Sequence, residues 1–333
     1  MKKLLTYMML LLILTACSSD DHEEEALLTE GDVTLVSFTR ATWSPELAQE
    51  EYSSIGVFLV KAGSNTQPGQ GQFHYRQNDS RWHSNIEVTS GQSYRLYGYA
   101  PADAVTAAIS EESEAGATMT FTNLPSVSSQ DICFVVGVQH MTEATGTKDI
   151  KLGQFAFTGG LQDHNFINLQ MDHLYAGLCF QMTIDSDYAL LRRIKIKKME
   201  LQASSSITTT TVKLVANNSG TSPVSEVSYG TSTGEPMSAT FFKSTDGEVL
   251  SADVVKEAMC CFVPILGNDL TLVTTYDVYD RNDNKIAERT ASNKLPNLTV
   301  ARGDLMTLLL KVNPTYLYVL SEPDLDNPTI TVN

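Results

Sequence analysis

Residues 192–201 read RRIKIKKMEL. Ile194, Ile196, Met199 and Leu201 nearly alternate with charged residues, the period of a strand with one face in water. The slip between Ile196 and Met199 predicts a bulge. A helix accounts for the stretch less well, since Ile194 and Ile196 would point about 200° apart around its axis.

The same pattern extends in both directions. Short β-rich runs bounded by Gly, Asn, Asp, Ser and Pro lie at 33–39, 54–60, 72–77, 94–101, 117–124 and 132–139, as strands do. A polar, Gly-rich gap follows at 142–165, with QFAFT inside it as one further short strand. A second set runs through 165–185, 191–203, 208–216, 258–266, 269–280 and 304–313. One stretch, DGEVLSADVVKEAM at 246–259, is expected to carry a helical turn. Two groups of strands around a polar gap predict an all-β chain of two tandem β-sandwiches, 33–168 and 169–333.

Ahead of the first strand stand Lys2, Lys3 and a nearly unbroken apolar run from Leu4 to Leu14. Small residues Thr15 and Ala16 follow, so residues 1–16 read as a secretory signal peptide. The run is too short for a bilayer span, which takes about 20 apolar residues. Leu14-Thr15-Ala16-Cys17 resembles the lipobox of bacterial lipoproteins, in which the cysteine is acylated, with palmitate or a similar chain, and becomes the new N-terminus. Each buried acyl CH₂ is worth about 0.8 kcal/mol, so a multiply acylated Cys17 would hold the chain at the outer membrane. Residues 17–32 form a flexible acidic tether; Asp20, Asp21, Glu23, Glu24 and Glu25 resemble the acidic export signal of surface lipoproteins of Bacteroidetes.

Loss of Lys2 and Lys3 with the signal leaves the mature chain two charges more acidic than the −16 of the whole sequence. Nucleic acid is therefore not an expected partner. Cys133, Cys179, Cys260 and Cys261 sit in apolar segments and read as core residues, with Cys260 and Cys261 on opposite faces of one strand and no structural disulfide expected.

Catalytic motifs are missing: there is no GxSxG, HExxH, CxxC, phosphate loop or EF-hand loop. No enzyme, cofactor or metal site is expected. The six histidines are scattered, and His173 reads as a hydrogen-bonded residue at a domain edge. Arg302-Gly303-Asp304 spells an adhesion tripeptide but reads as the turn launching the strand after it, with glycine at a positive φ. Trp43, Trp82, Tyr94, Tyr97 and Tyr99 crowd the first half; Tyr97 and Tyr99 share a strand face opposite Leu96, where core packing is the expected role and a sugar platform the alternative.

Three segments, WHSNIEVTSGQSYRLYGYAP (82–101), MTFTNLPSVSSQDICFVVGV (119–138) and INLQMDHLYAGLCFQMTID (167–185), resemble the fimbrillins, the type V pilins of Bacteroidales. The resemblance implies two tandem transthyretin-like β-sandwiches, lipoprotein export, and removal of the first strand by an arginine-specific protease. Here that strand is Val33 to Thr39, with Val33, Leu35, Val36 and Phe38 as its apolar residues and cleavage between Arg40 and Ala41. Another pilin subunit would fill the slot by strand exchange. The tail 314–333, with Leu317, Val319, Ile330 and Val332 alternating, matches the family's donor extension; folded back on its own domain it would suit a tip subunit. Shaft, tip or uncleaved anchor roles in adhesion fit this pattern, as does a surface glycan-binding lipoprotein of a nutrient-uptake system.

Overall fold

A computed structural model of the chain describes residues 32–40, 54–63, 68–122, 124–125, 127–146, 149–161, 164–205, 209–216, 225–230, 235–252, 256–264, 270–295, 298, 300–316 and 323–332. Of these, 32, 35–40, 256–259, 314–316 and 323–329 are described by backbone alone. The chain is all-β: twenty strands and a single helical turn, Ser186–Ala189, make up its regular structure among the described residues.

The first half builds a ring. Strands β1 (Asp32–Arg40), β2 (Ser54–Lys61), β3 (Gly69–Arg76), β4 (Arg81–Glu87), β5 (Ser93–Ala100), β8 (Cys133–Met141) and β10 (Phe166–His173) pair in the order β2-β3-β4-β1-β10-β8-β5, and β5 pairs back to β2. Between β8 and β5 the ladder is short, Tyr99 opposite Phe134 and Ala100 opposite Cys133. The rest of that β5 edge is taken by β9 (Ala156–Thr158), the short strand expected from QFAFT. Val33, Ile55, Trp82, Leu96, Val135 and Ile167 fill the interior.

A second sheet lies over one side of the ring, in the order β14 (Ser225–Tyr229), β13 (Thr209–Val215), β7 (Gly116–Thr122), β6 (Thr106–Ser113). Phe58, Tyr97, Phe134 and Val136 point out of the ring and pack against Met119, Phe121, Val212 and Leu214 of that sheet. Strands β2, β5 and β8 are thus buried on both faces, which is why they read as near-continuous apolar runs instead of alternating ones. Arg95 of β5 and Glu112 of β6 tie the layers together by a two-bonded ion pair, its second contact at 3.1 Å.

The remaining strands face one another as two four-stranded sheets. One runs β16 (Lys256–Val263), β11 (Ala176–Ile184), β19 (Leu305–Tyr316), β20 (Pro323–Val332). Its partner runs β15 (Met237–Val249), β12 (Arg193–Ala203), β17 (Leu270–Tyr279), β18 (Lys285–Lys294). Phe180, Met182, Ile194, Ile196, Leu272 and Leu310 meet in the core between them. The stretch RRIKIKKMEL supplies most of β12, whose register slips between Ile196 and Lys198 against both neighbours, the bulge that its pattern predicts.

The two halves of the sequence interleave in space. Strand β10 runs through the 168/169 division and belongs by its partners to the ring, while hairpin β13–β14, far along the chain, pairs with β7. The helical turn expected at 246–259 meets strand at both ends, 246–249 ending β15 and 256–259 beginning β16, while 253–255 lie outside the described residues. Strands β4, β6, β14, β15 and β18 have no counterpart in the sequence reading. In β18 every residue is exposed or half-exposed, so no apolar alternation marks it. No described helix is long and apolar enough to cross a membrane.

Candidate functional site

Strand β1 occupies an unusual position for the first described strand. It is joined by hairpin turns to neither of its partners: β4 lies more than forty residues on and β10 more than a hundred (~40 and ~125 positions along the chain by its own numbering). It runs antiparallel to β4 only at its start, Asp32 to Leu35, and parallel to β10 from Thr34 to Arg40, with register shifts in both ladders. Val33 is fully buried in the ring interior, Thr34 N–H donates to the Asn165 carbonyl at 3.0 Å, and Ser84 Oγ donates to the Val33 carbonyl at 2.7 Å. Withdrawing β1 would open the ring between β4 and β10, baring two unpaired edges over an apolar interior that includes Trp82, Ile167 and Leu169.

The last residue of β1, Arg40, stands opposite Met171, one step before Asp172 and His173. These two residues anchor a dense junction. Arg302 donates to Asp172 Oδ2 at 2.7 Å and to the His173 carbonyl at 2.6 Å, with its guanidinium 5.7 Å from the centre of the Phe134 ring. Gly303, at φ +78°, turns the chain so that its N–H reaches the Tyr175 carbonyl at 2.9 Å before β19 begins. Tyr175 donates to the Pro125 carbonyl at 2.6 Å, and Tyr229 donates to the Leu174 carbonyl. Burial pushes the Tyr229 hydroxyl up to about 12, so it stays a donor. The adhesion tripeptide is thereby the turn its sequence suggests, with its arginine committed to an internal ion pair.

Beneath this junction Asp131, Cys133 and His173 form a fully buried cluster. Cys133 and His173 are directly opposed in the β8–β10 ladder, and Asp131, two residues before Cys133, lies on the same side. His173 Nδ1 is 2.7 Å from Asp131 Oδ2, and the Cys133 thiol lies 3.3 Å from that oxygen and 3.8 Å from Nδ1. The residue types are those of a cysteine–histidine–aspartate relay, but the geometry is not. A relay puts nucleophile and carboxylate on different imidazole nitrogens, whereas here both face Nδ1. As metal ligands, the three atoms lie within 4.8 Å of one another; two ligands of a tetrahedral zinc would stand about 3.3 Å apart. A separation of 2.7 Å between nitrogen and oxygen is a hydrogen bond instead. His173 is hydrogen-bonded, as the sequence suggests, and stands at the end of β10.

The other expected site residues separate into several places. Cys17, Ala41, Leu317 and Val319 lie outside the described residues, as does Trp43. Leu35, Val36, Phe38 and Arg40 are placed in β1 by backbone. Ile330 and Val332 lie in β20, which pairs with β19; Ile330 is buried in the core of its own half and Val332 packs on it. Trp82 and Tyr97 are fully buried, so neither offers a ring to solvent.

The expectation of no structural disulfide is corrected: Cys179 and Cys260 are bonded, directly opposed on β11 and β16 with Cα atoms 4.1 Å apart. Their apolar contexts disguise them as core residues, and 81 residues separate them, so only strand pairing brings them together. Cys261 points the other way, fully buried in the core. The Asp131-x-Cys133 alternation was the one available sign of the buried cluster, with nothing in the sequence to attach it to His173.

No family model and no curated protein matches the chain. Solved structures similar to it include a fimbrial protein from Bacteroides vulgatus ATCC 8482, 12% identical, covering 91% of this chain and 98% of that one at a TM-score of 0.41. A fimbrial anchor protein from Porphyromonas gingivalis is 10% identical and covers 91% of this chain and 97% of that one at a TM-score of 0.31.

Proposed function

We propose that this chain is a fimbrial subunit of the fimbrillin kind. It is exported as a lipoprotein through Cys17, held at the bacterial surface, cut after Arg40 by an arginine-specific protease, and polymerised with other pilin subunits by strand exchange. The observation that carries this reading is the placement of β1: the first described strand, inserted mid-ring between two strands to which no hairpin connects it. Once the chain is cut after Arg40, such a strand can leave without unthreading its neighbours, and the slot it leaves presents backbone donors and acceptors along both edges with apolar pockets between them. One cut would both free the subunit from its lipid and open the slot.

The two facing four-stranded sheets of the second half support the transthyretin-like part of the reading. In this structure the tail closes its own sheet as β20, with Asn293 Nδ2 donating to the Ile330 carbonyl at 2.5 Å. A shaft subunit has to open that pair to donate the tail; a chain that keeps it closed suits a tip position in adhesion.

Digestion of the mature protein with an arginine-specific protease tests the reading. A stable core starting at Ala41 that forms ladders on native gels, abolished by removing residues 314–333, is the expected result. Resistance at Arg40, or a product that unfolds, defeats the shaft mechanism and favours an uncleaved anchor.

A further inference from the structure

We propose that the outer face of the ring carries a cleft for a neutral saccharide, built on a row of residues running across β4, β3, β2 and β5. In the ladders Gly56 stands opposite Gln72 on one side and Tyr99 on the other, and Asn85 adjoins Gln72, whose N–H donates to Asn85 Oδ1 at 3.4 Å. Gly56 is what allows the row to form. A Cβ there would lie 2.6 Å from the Tyr99 ring, so the ring lies down over β2 at a spot that a side chain would fill. Tyr99 is held there by Phe58, stacked at 6.0 Å, and by Phe121, edge-on at 5.9 Å.

The result is a cleft of about 410 Å³ with an aromatic wall on the β5 side and Gln70, Gln72, His74 and Asn85 on the other. Its size is within the range of about 300–1,000 Å³ typical of small-ligand sites and suits a disaccharide. Its chemistry is selective in a second way. The chain carries a formal charge of −16, yet among the described residues no Asp, Glu, Lys or Arg lines this cleft. A charged ligand would find no counter-charge among these side chains. A sugar offers hydroxyls, each donor and acceptor at once, around an apolar C–H face. Side-chain amides supply both functions from one rigid group, and a fixed ring supplies the apolar contact. Trp82, one of the aromatics a sugar platform would have needed exposed, points into the ring instead.

The cleft goes beyond the strand-exchange reading and is independent of it, because it uses no part of β1. Saturation-transfer NMR on the uncut mature chain, with cellobiose, maltose, lactose and N-acetyllactosamine as probes and digalacturonic acid as the charged comparator, tests it. Transfer to at least one neutral disaccharide is expected, with a dissociation constant on the order of 1 mM. Gln72→Ala and Asn85→Ala each weaken binding about fivefold, the loss of roughly one hydrogen bond, while Glu87→Gln on the same strand leaves it unchanged. Absence of transfer from all four neutral sugars at about 10 mM overturns the proposal. So does binding that survives the double variant Gln72→Ala/Asn85→Ala, or stronger binding of the charged sugar. None of these outcomes bears on cleavage at Arg40.

Discussion

Arg302 ties the ring to the second pair of sheets through one side chain. Its bonds to Asp172 and to the His173 carbonyl are charge-assisted, and both partners of the ion pair are mostly screened from water. Arg302→Ala is expected to lower stability by about 1–3 kcal/mol. Arg302→Lys recovers only part of this, since an ammonium cannot span both acceptors with a planar fork. Urea midpoints of the three proteins check the order. His140 supplies a pH dependence. Burial holds its imidazole below the ordinary value, against a smaller upward pull from Asn165, and the ring stacks on Phe157 at 5.3 Å. The folded protein therefore binds this proton less readily than the unfolded chain. The contribution is complete above the unfolded value of about 6.5 and is lost as pH falls through the lower folded value. His140→Phe, which keeps an aromatic ring against Phe157, should flatten this part of the stability profile between about pH 7 and 5, read from urea midpoints.

Among the elements, β1 decides what the molecule can do. A chain beginning at Ala41 should populate an opened ring with a lower Tm, and a synthetic peptide of residues 32–40 added in trans should raise it in a concentration-dependent way. Failure of the peptide to raise Tm would show that β1 is a structural strand and not an exchangeable one. Legibility at this scale followed burial. Strands with one wet face, such as β12, or two dry ones, such as β8, announce themselves by alternation or by unbroken apolar runs. Edge strands β15 and β18 bury little, carry mixed residues and are recognisable only by their partners β12 and β17. The helical reading of 246–249 and 256–259 failed for this reason: a strand end and a strand start, read together, imitate helical spacing.

The whole molecule is held by connections that cross the sequence. Replacing Cys179 and Cys260 by serine reopens a loop of 81 residues and should cost up to about 4 kcal/mol, seen as a matching fall in Tm that reductant reproduces in the wild type. Hairpin β13–β14 supplies two of the four strands that cover the ring, and Val212 and Leu214 with them. A fragment of residues 32–173 should therefore bind a hydrophobic dye and lack near-ultraviolet dichroism, although it holds every strand of the ring. An ordered fragment would show the cover sheet to be dispensable.

The sequence by itself determined the all-β class, most strand positions, the β12 bulge, the glycine turn at Gly303 and the separate faces of Cys260 and Cys261, because each depends on residues a few positions apart. Ring closure through β1, the sharing of the cover sheet between the two halves, the Cys179–Cys260 bond and the Asp131–Cys133–His173 cluster were decided only by the tertiary structure. Each joins segments tens of residues apart, and a strand's own pattern says which face it buries but not which strand lies beside it.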